Sequence, residues 1–263
     1  MAKRNDAVLY ERGMGRWSRR LARSFLDFAQ TPPRARILDV GCGTGSLMLT
    51  AAARFPEAEI LGLDVSSAYL AQAAANAAPN TSLHVGDAAA LPWDAGAFDA
   101  CLSQLVFDSL PAPGAALAEM ARVARPGGIV AATIWDVVGG MPWLRLFADT
   151  AAVVVEPEGE ALRTALLRAP LAGPDELADL WSDAGLCGVE QAMLAIRIEF
   201  MDFEDCWQTL AVCPGLVSAF IEALPTERRA HLKERVSRAF LAGRPDGPRS
   251  FAAAAWAVRG VVG

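Results

Sequence analysis

The sequence predicts an α/β fold, a mostly parallel sheet with helices on both faces. Three observations predict it. Short apolar runs alternate with helical segments over residues 36–135, at the spacing of strand–helix–strand units. A glycine-rich turn, residues 41–45, follows the first of those runs. The 263 residues are 53% hydrophobic and 21% charged. That is enough apolar side chain for a sizeable core and too little charge for a disordered chain.

The elements follow in order. Residues 8–30 form an amphipathic helical region. Leu21, Phe25 and Phe28 share one stripe, while Arg12, Arg16, Arg19, Arg20 and Arg23 fall mostly on another. Thr31-Pro32-Pro33 ends it. Arg36–Val40 is a strand that runs into the glycine turn, and Ser46–Arg54 is a helix. Glu59–Asp64 is the second strand, 67–77 an alanine-rich helix stopped by Pro79, and 82–86 the third strand. Phe98–Gln104 is the fourth strand and 115–124 a helix. The tight turn Arg125-Pro126-Gly127-Gly128 feeds a fifth strand over 129–135.

The alternation then loosens. Helices are expected over 141–154, 158–168 and 175–184, the last with Pro174 at its start. Residues 189–200 read as a sixth strand, 203–242 as helices cut by Pro214 and Pro225, and 250–261 as a last strand. Two strands so late in the chain suggest an antiparallel hairpin at the sheet edge, carrying a helical insert. The expected organisation is one domain over 1–263. It comprises an N-terminal helical lid (1–30), a ligand-binding core (31–135) and helical cap insertions (136–170 and 202–248).

Composition excludes several classes. A net charge of -6 argues against broad nucleic-acid binding, which needs a basic face. No two of the five cysteines stand at C-x2-C spacing, and there are two histidines. A zinc site and a disulfide framework are therefore not expected. The first residues lack the apolar stretch of a signal peptide. The most apolar window, 128–146, is broken by Asp136, Gly139, Gly140, Pro142 and Arg145, so no membrane span is expected. The cytoplasm is the expected location.

The stretch 37–47, ILDVGCGTGSL, carries the most chemistry. Glycines 41, 43 and 45 let the backbone turn sharply and a ligand lie against it, and the helix that follows offers unpaired N–H groups. Such a loop after a first strand is a nucleotide-binding crevice at the C-terminal sheet edge. The dinucleotide spacing G-x-G-x-x-G fails at Ser46, and no Lys-Ser/Thr follows for a P-loop. Asp39, close to the loop, suits a cationic ligand better than a pyrophosphate. Asp64 ends the second strand, where a carboxylate can bind ribose hydroxyls, with helix capping as its plainer role. Asp87, after the third strand, can accept from an adenine amine. An NAD-dependent oxidoreductase and a non-catalytic binding module with the same fold are the alternative readings.

With these segments in hand, the sequence resembles the class I S-adenosylmethionine-dependent methyltransferases, in particular the small-molecule, type 11-like kind. The resemblance rests on ILDVGCGTG (37–45), Asp64 in LGLDVS, GDAAALPW (86–93), FDACLSQLVF (98–107) and RPGGIVAATIW (125–135). It implies a Rossmann-like, doubly wound sheet of seven strands whose last strand is antiparallel. It implies S-adenosyl-L-methionine as cofactor and S-adenosyl-L-homocysteine as product. It places Gly41 and Gly43 at the methionine half with Asp39 helping to orient it, Asp64 at the ribose, and Asp87 and Ala88 at the adenine, with Cys42 and Val65 as further cofactor contacts. Gln104 and Leu105 would line the floor near the sulfonium. The run YERGMGRWSRR (10–20) also resembles one branch of the family, which puts Tyr10, Arg16 and Trp17 near the cofactor with Arg16 facing its carboxylate; the alternative is a solvated arginine face, with Trp17 packed into the core.

Methyl transfer is an in-line displacement from a good leaving group, so positioning supplies most of the rate. Asp108, just past the fourth strand, is the candidate general base where the acceptor must lose a proton. His84 reads as a core histidine and His231 as exposed. The segment SQLVFDS lacks the Asn/Asp-Pro-Pro-Tyr pattern that the resemblance associates with nucleobase amines. Phe107, Trp135, Trp143 and Trp207 are the candidate substrate contacts, for a small and mostly apolar acceptor. The expected partners are that acceptor alone, with no nucleic acid and no membrane, on a monomer or homodimer.

Overall fold

A computed structural model describes residues 11–171, 173–212 and 215–263. Its sheet has seven strands in the order β3-β2-β1-β4-β5-β7-β6. These are β1 Arg36–Val40, β2 Glu59–Asp64, β3 Thr81–Val85, β4 Phe98–Gln104, β5 Ala124–Trp135, β6 Cys187–Phe200 and β7 Arg249–Val261. Strands β1 to β5 run parallel, with Asp39 level with Gly62 and Leu102, and Gln104 level with Thr133. The turn expected at 125–128 lies within β5, where the register jumps between Phe98 and Ala100.

The last strand enters between β5 and β6. Gly127 N donates to Val262 O and Val262 N to Gly128 O, while Asp136 N donates to Ala254 O. Partners that rise on β5 therefore fall on β7, so the pair is antiparallel. The Arg197–Ser250 and Glu190–Arg259 contacts run the same way between β6 and β7. The expected hairpin is present, and β6 is an edge strand with alternating exposure.

The chain separates into two compact units. The sheet unit holds 17–134, 173–194 and 255–263, and the helical unit holds the segments ending at 16, 135–172 and 195–254. In the sheet unit, β1 and β4 are buried along nearly their whole length, as expected of parallel strands covered on both faces. Helix α1 (Arg16–Ala29) buries Leu21, Ala22, Phe25, Leu26 and Ala29 and exposes Arg19, Arg20 and Arg23. Ala22, Phe25, Leu26 and Ala29 join one core cluster with Ile37, Ala100, Leu102 and Ala131 of the sheet and Leu47, Met48 and Ala51 of α2 (Ser46–Arg54). Residues 17–29 are thus core rather than the lid expected over 1–30. Leu21, Phe25 and Leu26 of their apolar stripe are 0–1% exposed.

The helical unit is held by aromatic rings. Helices α5 (Pro142–Val154), α8 (Phe203–Val212) and α10 (Thr226–Leu241) supply Trp143, Phe147, Phe203, Trp207 and Phe240. Phe200 meets Trp143 edge-on at 5.4 Å, and Phe240 lies 5.7 Å from Phe203 and 5.9 Å from Phe251. Such offset and edge-to-face pairs add to the gain from burial. Among the described residues, no single helix is long and apolar enough to cross a membrane.

Thr133, on β5, has a buried hydroxyl with no hydrogen-bond partner among the described residues. Valine has the same shape without the stranded polar atom. Thr133→Val is expected to stabilise the ligand-free protein by about 1 kcal/mol, read from urea unfolding. A loss of stability would show that the hydroxyl is satisfied.

Candidate active site

The strand order reverses at β1, which has β2 on one side and β4 on the other. In open α/β sheets the ligand crevice lies at this switch point, at the C-terminal strand ends. The glycine turn lies there. Gly41 N and Cys42 N both donate to Leu63 O, at 2.7 and 2.9 Å, tying the loop to β2. Gly41 (φ +74°) and Gly43 (φ +54°) are in the left-handed region. A Cβ on Gly41 would stand 2.6 Å from Val106 Cγ2, whereas one on Gly43 would meet nothing within 4 Å. Gly41 is therefore glycine because the chain past β4 packs onto it, and Gly43 borders open space.

Asp39 is 1% exposed at the end of β1. Its Oδ2 accepts from Met48 N in the first turn of α2 (3.0 Å), and its Oδ1 has no partner among the described residues. Burial pushes the carboxyl up to about 7, opposed by the Met48 hydrogen bond and reinforced by the charge of Asp64. Burial likewise pushes the neighbouring Cys42 thiol up, with Asp39 and Asp64 adding to the effect. Cys42 is thus a neutral wall of the loop.

Asp64 is half-buried and spans two loops. Its Oδ2 accepts from Gly43 N (2.9 Å) and its Oδ1 from Ser66 N (2.8 Å). Ser66, not Asp64, caps helix α3 (Ser67–Ala74), through Tyr69 N. Asp64 keeps further lone pairs for ligand hydroxyls. Val65, at 71% exposure, and Val85, at 64%, present large apolar side chains to solvent beside it. Asp87 is exposed and accepts from Ala89 N, while Ala88 is buried. His84 is half-buried on β3, edge-on to Trp93 at 5.1 Å. His231 is exposed, as expected.

At the end of β4, Gln104 is buried and donates from Nε2 to Ser18 O of α1 (3.0 Å), and Ser103 Oγ donates to Val40 O (2.8 Å). Leu105 takes φ +62° and donates from N to Thr133 O. A left-handed leucine is strained, as residues at ligand sites commonly are. Asp108 lies in a short 3-10 turn, Phe107–Ser109. Its side chain reaches the surface, yet crowding by neighbouring atoms raises its carboxyl from the ordinary value, against backbone hydrogen bonds from its own and Ser109's amides.

The remaining candidates divide. Phe107 is 1% exposed and packs on Trp181 at 5.0 Å, within the sheet unit's core. Trp143 and Trp207 are 5% exposed within the ring cluster of the helical unit. Trp135 is half-buried. Three of the four expected substrate contacts are thus packing residues in this structure. Trp17 is 1% exposed in the sheet unit. Tyr10 lies outside the described residues. Arg16 makes a bidentate ion pair with Asp205 of α8 (3.0 Å) above the Phe200 ring, where a cofactor carboxylate was expected. The pair flanks a groove of about 550 Å³ in the helical unit, together with Glu11, Met201, Gln208 and Thr209. Asp205 was missed because its partner stands 189 residues away.

A methyltransferase-domain family model matches residues 37–128. Nocamycin O-methyltransferase of Saccharothrix syringae is 32% identical over 206 residues, covering 70% of this chain and 71% of that one. The chain belongs to the S-adenosylmethionine-dependent methyltransferases. Trans-aconitate 2-methyltransferase of Deinococcus radiodurans is 40% identical over 102 residues, which is 39% of this chain and only 38% of that enzyme's length. The phosphoethanolamine N-methyltransferase 2 structure from Haemonchus contortus, solved with S-adenosylhomocysteine, shares the fold at a TM-score of 0.59 and 15% identity, over 97% of this chain and 56% of that one.

The cofactor of this methyltransferase is S-adenosylmethionine, and the residues present fit it. The open space at Gly43 admits a ligand against the main chain, and the unpartnered Asp39 Oδ1 suits the cofactor's ammonium.

The Asp39 carboxyl implies a pH effect with a defined sign. Its folded value is about 7 against an ordinary 3.8, so the folded state holds a proton that the unfolded state releases. Its stabilising contribution is complete below about pH 4 and is lost as the pH rises through about 7. Relative to Asp39→Asn, the ligand-free wild type should lose stability over that window in chemical denaturation. Parallel pH profiles for the two proteins would contradict the assignment.

Proposed function

We propose that this methyltransferase transfers the methyl group of S-adenosylmethionine to an oxygen, nitrogen or carbon atom of a small organic molecule. The observation that carries the reading is the glycine loop with its two carboxylates. Asp39 lies buried beneath the loop and Asp64 is bonded to the Gly43 amide. In this reading the loop backbone at Gly41, Cys42 and Gly43 holds the methionine half, with Asp39 turned to its ammonium. Asp64 accepts from the ribose hydroxyls, Val65 and Ala88 bound the adenine, and Asp87 accepts from its amine. Leu105 borders the transferring methyl.

The cofactor supplies a methyl on a positively charged sulfur, which leaves without acid assistance. The protein's part is to align the acceptor in line with that bond and to exclude water. Where the acceptor carries a proton, Asp108 receives it. A carboxyl raised from its ordinary value is better matched to proton transfer near neutral pH.

Two relatives are named for small compounds, trans-aconitate and nocamycin, which supports a small-molecule substrate, while others are named for a malonyl group on an acyl-carrier protein. Of the four candidate substrate contacts, Phe107, Trp143 and Trp207 are buried and Trp135 is half-buried.

Incubation of a metabolite extract with methyl-labelled S-adenosylmethionine should place label in one small product. Label found only in macromolecules would overturn the reading. Asp64→Ala should weaken S-adenosylhomocysteine binding by roughly 1.5–3 kcal/mol, the value of hydrogen bonds to a charged acceptor. Unchanged affinity in calorimetry would place the ribose elsewhere.

A further inference from the structure

The loop that follows β3, residues 86–93, is tied at both ends. At its start Gly86 N donates to Asp64 O of β2 (3.1 Å). Just beyond, Asp87 accepts from Ala89 N with its carboxylate (2.9 Å) and from Ala90 N with its carbonyl (3.1 Å). The Asp87 carboxylate is therefore aimed by its own turn, and that turn is aimed by whatever holds the far end of the loop.

The far end is held by helix α4 (Pro113–Val123), through two side chains one helical turn apart. Glu119 Oε2 accepts from Leu91 N (2.8 Å). Arg122 donates from Nη2 to Leu91 O (3.0 Å) and from Nη1 to Trp93 O (2.8 Å). The same guanidinium donates to both Glu119 oxygens, at 2.7 and 2.8 Å. Both main-chain groups of Leu91 are thus bound by one ion pair, and the planar fork of the arginine fixes their direction as well as their distance. The Arg122 hydrogen bond holds the Glu119 carboxyl below its ordinary value, so the pair stays charged at neutral pH. The side chains around it are also fixed. Leu91 is 4% exposed, and Trp93 stands edge-on to His84 at 5.1 Å and to Phe98 at 5.2 Å. An exposed ion pair within one helix contributes little to stability by itself. What distinguishes this one is its three bonds to the main chain of another segment.

We propose that Glu119 and Arg122 are positioning residues for the cofactor's adenine, holding the main chain at Leu91 and Trp93 so that the turn before it presents Asp87 and Ala88 to the base. They act through the loop and do not touch the ligand. This rests on the adenine reading of Asp87 given above. Neither residue carries chemistry in the sequence, because each stands about thirty residues from the loop that it holds.

The test compares S-adenosylhomocysteine with S-inosylhomocysteine, which carries a carbonyl oxygen where adenine has its amine. The amine can donate to Asp87 and the oxygen cannot. In calorimetry the wild type should bind S-adenosylhomocysteine about tenfold more tightly than the inosine analogue. Arg122→Met keeps an unbranched stem and removes the donors, and it should narrow that preference to about threefold or less. Glu119→Gln, which loses the charge that fixes the guanidinium, should narrow it too, and it carries the test if Arg122→Met does not fold. A pair that served stability alone would weaken both ligands by the same factor, so an unchanged preference in a variant that is folded by circular dichroism overturns the proposal. A wild type that binds both ligands equally would instead defeat the adenine reading of Asp87, and the proposal with it.

Discussion

Asp39 holds one oxygen on the first turn of α2 and leaves the other without a partner among the described residues, closed off from solvent beneath the glycine loop. A carboxylate in such a place carries a desolvation penalty that one backbone hydrogen bond does not offset. The ligand-free protein meets it by holding the proton up to about pH 7. Other features of the site follow from fixing this group. The Met48 bond sets where α2 begins and therefore where the loop must turn. Val106, packed against Gly41, closes the loop from the β4 side. Asp64, bonded to Gly43 N, fixes it from the β2 side. In the proposed reading, the cost of burying Asp39 favours a ligand that brings a cation to the loop.

The topology places these groups without long side chains. Because strand order reverses at β1, the ends of β2 and β4 open on opposite sides of one loop. An adenosyl group can lie toward β2 and an amino acid toward β4, with the sulfonium between them. Leu105 in a left-handed conformation at the end of β4 is consistent with a chain bent to border a ligand.

Most of the sheet was legible in the sequence. Ile37, Leu38 and Val40 form an apolar run because β1 is covered on both faces, and the glycines of the loop announce a backbone that other residues do not adopt. The hairpin of β6 and β7 was legible from its late position. The roles of aromatic residues were not. Phe107, Trp143 and Trp207 have the same side-chain chemistry whether they line a pocket or fill a core, and only long-range packing decides. The arginine-rich run before Leu21 suggested a mobile lid. The stripe behind it was visible, but not that Phe25 and Leu26 share one core cluster with Leu102 and Ala131. The Asp205 partner of Arg16 left no local signal. Gln104 stood among the cofactor contacts implied by resemblance, but its bond to Ser18 O was not legible. Its buried oxygen emerges from the register of β4 against β1 and β5 and from the Ser18 carbonyl.

The central claim, that the cofactor's ammonium takes up the stranded oxygen of Asp39, makes binding an exchange of one cation for another. Calorimetric titration of S-adenosylhomocysteine near pH 6, in buffers of different ionisation enthalpy, counts the protons released. Below its folded value of about 7 the carboxyl is mostly protonated, so binding should release close to one proton per ligand, and Asp39→Asn should release none. Binding with no proton exchange in the wild type would contradict the account.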